Sequence, residues 1–172
     1  KAFDHELKQS YAFTVVATDS NDSTKKATKS FTVNSIDVND NAPIFGSKGL
    51  LTSSVQENTT GTVIYVSDAK DNDVSKEFNT IAYTLDGVDK SYFAIDANTG
   101  KVTLSKAFDH ELQQSYAFTV VATDSNDSTK KATQSFTVNS IDVNDNAPVF
   151  TGGASKDLTL NEGATEIYTA AA

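Results

Sequence analysis

Apolar residues recur at every second position through much of this chain. Ser115-Tyr116-Ala117-Phe118-Thr119-Val120-Val121-Ala122 alternates in this way, and so does Lys131-Ala132-Thr133-Gln134-Ser135-Phe136-Thr137-Val138. Thr62-Val63-Ile64-Tyr65-Val66 and Thr80-Ile81-Ala82-Tyr83-Thr84-Leu85 repeat the pattern. A period of two sends successive side chains to opposite faces of a pleated strand, so these segments predict half-buried strands. Their Val, Ile, Thr, Tyr and Phe content suits a pleated surface. Ile95-Asp96-Ala97-Asn98-Thr99-Gly100-Lys101-Val102 reads as a hairpin, with Gly100 free to take a positive φ. No segment carries a 3.6-residue stripe over three turns. About seven short strands in about 105 residues predict an all-β fold, a seven-stranded Greek-key β-sandwich. Phe45, Phe93, Tyr116, Phe118 and Phe136 are its expected core.

The pattern repeats on a larger scale. Asp37-Val38-Asn39-Asp40-Asn41-Ala42-Pro43-Ile44-Phe45 returns 105 residues later as Asp142-Val143-Asn144-Asp145-Asn146-Ala147-Pro148-Val149-Phe150. Residues 1–45 and 106–150 differ at three positions only, Lys8 for Gln113, Lys29 for Gln134 and Ile44 for Val149. Near-identity at a domain-sized period marks a tandem array. The expected organisation is one complete repeat over 46–150, preceded by the C-terminal part of another (1–45). The start of a third (151–172) follows, and the whole is expected to be a window on a longer protein.

Composition narrows the chemistry. The 172 residues include no Cys, so no disulfide staples the fold. Fourteen basic and 23 acidic residues give a net charge of −9, which argues against nucleic acid or anionic lipid as a partner. No apolar run reaches the roughly 18 residues of a membrane span, so no direct membrane insertion is expected of this segment. Each copy of the nine-residue string crowds carboxylates, amides and carbonyls together where one repeat hands over to the next. Hard oxygen donors of this kind suit Ca²⁺. The Pro that follows them stiffens the exit in an extended conformation.

Four further acidic motifs fall near predicted strand ends. They are Glu57 in Val55-Gln56-Glu57-Asn58 (with Glu162 as its counterpart), Asp71-Asn72-Asp73, Asp109-His110-Glu111 (with Asp4-His5-Glu6), and Asp124 (with Asp19). An isolated acidic residue on a β-surface is ordinarily just solvated. Five motifs in register are a different matter, and together with Asp-x-Asn-Asp-Asn-Ala-Pro they resemble the motif set of cadherin repeats along the whole chain.

That resemblance implies Greek-key sandwiches joined end to end, with up to three Ca²⁺ ions at each junction. At the first junction it implies ligation by Asp4 and Glu6 from one side and by Asp71, Asp73 and Asp124 from the other. Between them the linker would give the Asn39 and Asp40 side chains and the carbonyls of Val38 and Asn41, with a further carbonyl near Asn79. At the second it implies Glu57, Asp109, Glu111, Asn144 and Asp145, with the carbonyls of Val143 and Asn146. The run Asp68-Ala69-Lys70-Asp71-Asn72-Asp73 is one residue longer than usual, which leaves Asp68 competing with Asp71. His5 and His110 replace the usual arginine and are expected as exposed neighbours of the sites. Near-identical repeats rich in Thr, Asp, Asn and Ala look most like the arrays of large bacterial surface or secreted proteins.

Two functions are then in view. One is a calcium-rigidified extender in an extracellular adhesin, cell-surface or secreted, that meets another copy of itself or a surface protein. The other is a module that binds polysaccharide directly. Catalysis is not expected, since no strained nucleophile turn such as Gly-x-Ser-x-Gly accompanies Asp109-His110-Glu111. Asn21-Asp22-Ser23, Asn58-Thr59-Thr60 and Asn126-Asp127-Ser128 match the glycosylation acceptor pattern, a weak signal.

Overall fold

The structure, a computed structural model, describes residues 2–46, 50–151, 155–166 and 169. It forms two compact units, Lys1–Asp142 and Val143–Ala172. Among the described residues, nine strands lie in the first. An antiparallel hairpin pairs β1 (Ser10–Thr18) with β2 (Lys26–Asn34). Seven strands follow: β3 (Leu51–Gln56), β4 (Val63–Val66), β5 (Ile81–Asp86), β6 (Phe93–Ile95), β7 (Lys101–Leu104), β8 (Ser115–Asp124) and β9 (Lys131–Ile141). They form a four-stranded sheet in the order β3-β9-β8-β5 and a three-stranded sheet in the order β4-β7-β6. Seven strands in this repeat is the number the alternation predicts.

The alternation becomes the core. Along β8, Tyr116, Phe118, Val120 and Ala122 point inward, and along β9 Phe136 and Val138 meet them. Phe118 stacks on its cross-strand partner Phe136 with ring centroids 4.9 Å apart. Phe93, Val102, Leu104 and Phe108 close the core around them. Each such buried side chain stabilises the sandwich by about 1.5–3 kcal/mol. All five aromatic residues expected in the core are buried there.

The same sequence meets a different environment in the first hairpin. Phe13 and Phe31 stack in the same register, at 5.1 Å, yet Phe13 is 51% exposed where Phe118 is 2%. Alternation therefore sets which face is apolar, and the second sheet decides whether that face is dry.

Two features depart from the pattern. Strand β3 is parallel to β9, in the register Leu51↔Phe136 to Gln56↔Ile141, and its Thr-Ser-Ser centre gives no alternation to read. A single 3₁₀ turn, Lys90–Tyr92, leads into β6. The expected hairpin is present. Gly100 takes φ 63°, and a Cβ there would lie 2.4 Å from that of Ser67.

The second unit has no strand among its described residues. It contains a turn closed by Ala164 N–H on the Asn161 carbonyl at 3.3 Å. Gly163 takes φ 85° there, and Asn58, which follows Glu57 as Gly163 follows Glu162, takes φ 59°.

Candidate metal centre

The linker of residues 37–45 is tied down at its exit. Phe45 is buried in the sandwich core and Pro43 is buried beside it. Ile44 bridges antiparallel to Lys70, with Ile44 N–H donating to the Lys70 carbonyl at 2.8 Å and Lys70 N–H returning at 2.9 Å. That bridge sets Asp71-Asn72-Asp73 beside the linker. Asp124 arrives from the other direction, because it continues the inward row Tyr116, Phe118, Val120, Ala122 by one more alternate position. Glu57 does the same at the end of β3, two residues beyond inward-facing Val55. Period two thus carries buried acids at strand ends.

Each aspartate spends one oxygen on a hydrogen bond, Asp71 and Asp124 within their own loops and Asp73 to the linker. Asp71 Oδ1 accepts from Asp73 N–H at 3.0 Å, and Asp124 Oδ1 accepts from Asn126 N–H at 2.8 Å and Asp127 N–H at 3.3 Å. Asp73 Oδ1 accepts from the linker, at 2.7 Å from Asn41 Nδ2 and 3.3 Å from Asn41 N–H. The second oxygens are left over. Oδ2 of Asp71, Asp73 and Asp124 are buried with no hydrogen-bond partner, as are Glu6 Oε1 and Asp37 Oδ1.

These residues form two groups. In one, Asp71, Asp73 and Asp124 bring carboxylate oxygens within 4.8 Å of one another; in the other, Glu6, Asp37 and Asp73 do so. Asp73 belongs to both.

Buried carboxylate oxygens without donors are costly, and acids this close repel. Burial, with the Asp73 and Asp124 charges adding to it, raises the Asp71 pKa above the usual carboxylate value. Asp37 is held below its ordinary value, chiefly by the Ser75 side-chain hydroxyl, and to a lesser degree by Ser75 N–H, which donates to its Oδ2 at 2.5 Å. The donor set is all oxygen and anionic, with no imidazole or thiolate in either group. It fits a small hard divalent cation, and it does not resemble a site for zinc or copper.

Of the residues expected at this first junction, the structure brings Glu6, Asp71, Asp73 and Asp124 into these groups. Asn41 is bound to Asp73, and its Nδ2 also donates to Asp40 Oδ1 at 3.0 Å. Asp4 Oδ1 caps Leu7 N–H at 2.8 Å, while Asp4, Glu6, Asp40, Asn41 and Asn72 line one open polar cavity. Val38 exposes its side chain. Asn39 is engaged by Lys130. Asp68 accepts from Tyr65 Oη–H at 2.9 Å, and Asp71 rather than Asp68 joins Asp73 and Asp124. Asn79 N–H closes a turn on the Ser75 carbonyl at 3.0 Å.

Sequence reasoning passed over Asp37 as a ligand. The signal was present, since Asp37 opens the repeated nine-residue string.

For the second junction, Glu57 Oε2 accepts from His110 N–H at 2.6 Å, which ties it to the Asp109-His110-Glu111 turn. Asp109 Oδ1 caps Leu112 N–H at 2.8 Å, as Asp4 does in its copy. Val143, Asn144, Asp145 and Asn146 belong to the second unit, where Asn146 Nδ2 donates to Asp145 Oδ1 at 2.8 Å.

The histidines differ from expectation. Both are half-buried, and each Nδ1 faces a carbonyl, His5 that of Ser35 at 3.0 Å and His110 that of Ser140 at 2.9 Å. A carbonyl only accepts, so Nδ1 carries the proton. These rings fasten the acidic turn to the end of the neighbouring strand.

Known proteins agree with the fold and the motifs. The cadherin domain model matches residues 51–143, and the chain belongs to the cadherin family. Cadherin-87A of Drosophila melanogaster is 37% identical over 152 residues, covering 86% of this chain and 8% of that protein. Protocadherin Fat 4 of Homo sapiens is 39% identical over 122 residues, covering 71% and 2%. Among solved structures, the protocadherin gammaB7 EC3-6 cis-dimer superposes with a TM-score of 0.77 at 31% identity, covering 91% of this chain and 38% of that one. Human CDH23 EC21-23 gives 0.73 at 30% identity, covering 86% and 52%.

Cadherin domains are extracellular adhesion modules of cell-surface proteins and not enzymes, and this chain is a segment of that kind. It spans only a small part of the curated relatives it matches. Those relatives are animal proteins, and the likeness to bacterial arrays finds no support in them. Among the described residues, no helix is long and apolar enough to cross a membrane.

Proposed function

We propose that this chain is a calcium-rigidified extender of an extracellular adhesin, built from tandem repeats with a complete one over 46–150. Residues 1–45 close a preceding repeat and residues 151–172 open a following one. One observation carries the calcium reading. Five buried carboxylate oxygens without donors come from Glu6, from linker Asp37, and from Asp71, Asp73 and Asp124 beyond the linker. A cation that takes six to eight oxygens at about 2.3–2.6 Å draws on all three segments together. Its binding favours the state in which they are docked, by its differential affinity for that state. Without it, mutual repulsion of the acids loosens the linker. Sites of extracellular modules work at roughly 10⁻⁴–10⁻³ M, a range suited to a calcium-rich exterior.

Asp4, the Asn39 and Asp40 side chains and the Val38 and Asn41 carbonyls complete the first set; Glu57, Asp109, Glu111, Asn144 and Asp145, with the Val143 and Asn146 carbonyls, are the corresponding set for the second. A further copy of the protein is the partner we favour, because a solved relative is a cis-dimer. The test is small-angle scattering on a segment of three repeats, in millimolar Ca²⁺ and then in chelator. The expected result is a long maximum dimension in calcium that shortens and broadens on chelation. An unchanged rod, or a single repeat that binds polysaccharide with no response to calcium, overturns the extender reading.

A further inference from the structure

The turn between β8 and β9 carries Asp124 at one end and Lys130 at the other, joined by Asp124 N–H on the Lys130 carbonyl at 3.0 Å. Lys130 reaches back across 91 residues to the linker. Its Nζ donates to the Asn39 carbonyl at 2.7 Å and to Asn39 Oδ1 at 2.8 Å. The third contact is Asp127 Oδ2, at 3.1 Å. An ammonium has three protons to give, and all three are placed. Two residues along the linker, Asn41 is bound to Asp73. The linker is thus held on one side by an acid of the metal centre and on the other by a cation.

The chain supplies its own comparison. Asp19-Ser20-Asn21-Asp22-Ser23-Thr24-Lys25 repeats Asp124-Ser125-Asn126-Asp127-Ser128-Thr129-Lys130 residue for residue. Lys25 pairs with Asp22 at 3.3 Å just as Lys130 pairs with Asp127, yet the Lys25 side chain is 73% exposed against 20% for Lys130. The turn alone therefore leaves its lysine in water. The linker crossing Lys130 makes the difference.

We propose that Lys130 is a tethered cation that clasps the linker through Asn39 without any metal, so that part of the restraint at this junction is built into the chain. The inference extends the calcium reading above, in which the linker is loosened by chelation, by setting a floor to that loosening. A surface ion pair alone contributes little. Lys130 differs in being largely covered and in spending two protons on oxygens of one residue, and charge-assisted hydrogen bonds are about twice as strong as neutral ones.

The experiment is backbone ¹⁵N relaxation on the whole chain, in chelator and in excess Ca²⁺, for wild type, Lys130→Met and Lys25→Met. In chelator, wild-type amides of Val38 to Asn41 are expected between the flexible and rigid limits, at an order parameter of about 0.7 that Ca²⁺ raises toward about 0.85, and Lys130→Met is expected to drop them to about 0.6 or below in chelator. Lys25→Met is expected to leave them alone. Unshifted resonances of Val120 and Val138 check that the sandwich is folded. Should Lys130→Met fail to fold, Asn39→Ala tests the clasp from the other side, with a smaller fall because its carbonyl remains. Linker order unchanged in either variant overturns the proposal. If added Ca²⁺ does not alter the wild-type linker, the calcium reading fails, while the comparison in chelator still decides the clasp.

Discussion

Asp73→Asn separates the two roles of the residue that both acidic groups share. In the structure Asp73 Oδ1 holds Asn41, while Oδ2 is buried and unpartnered. An amide keeps an oxygen for Asn41 and removes the charge that both groups need. At about 5 mM Ca²⁺, with dissociation constants of ~10⁻⁴–10⁻³ M, each bound ion stabilises the fold by about 1–2 kcal/mol. Two ions then give about 2–4 kcal/mol, or a rise of about 4–16 °C in Tm for a unit of this size. The variant is expected to lose most of that rise. In chelator it is expected to match or exceed the wild type, because the repulsion against Asp71 is gone. The assay is thermal unfolding followed by circular dichroism across a calcium series. A variant whose Tm climbs with calcium as the wild type does would refute the reasoning. So would one destabilised equally in chelator, since that would make Asp73 a structural anchor only.

Other outcomes follow from the same structure. Phe118→Ala is expected to cost about 3–5 kcal/mol in urea unfolding of the sandwich, because a fully packed ring leaves a cavity. Phe13→Ala, the same position of the earlier copy but 51% exposed, is expected to cost under about 1 kcal/mol by the same measurement. Gly100→Ala places a Cβ at φ 63° and 2.4 Å from Ser67 Cβ, and is expected to lower stability by about 1–3 kcal/mol in the same assay. Burial and its acidic neighbours raise the Asp71 pKa. Its contribution in chelator is therefore fully present below the ordinary carboxylate value and is lost as pH rises through the raised one. Tm measured against pH in chelator should fall less steeply in Asp71→Asn than in the wild type.

Much of this was legible in the chain. Alternation at Tyr116 to Ala122 named a strand and its buried face, and two more residues along that face lies Asp124. The 105-residue return of the linker string named the junction. Other parts were hidden for physical reasons. Strand β3 has Thr and Ser where alternation would show, and its place beside β9 comes from pairing at long range. Nothing local marks Asp37 apart from a solvated acid, whereas the fold sets it beside Glu6 and Asp73, buries its Oδ1 without a partner and has its Oδ2 accept from Ser75 N–H. No local pattern tells Lys130 from Lys25, since their turns are identical. Only the path of the linker distinguishes them. The exposed ring of Phe13 and the buried ring of Phe118 make the same point about cores.

Everything proposed for the first junction depends on its pooled acids holding calcium. Anomalous diffraction from crystals grown in calcium tests it most directly. Peaks are expected against Asp71, Asp73 and Asp124 and against Glu6, Asp37 and Asp73, with the oxygens that lack donors turned onto them. Density in which those oxygens are met by water, with no anomalous peak at saturating calcium, would contradict it.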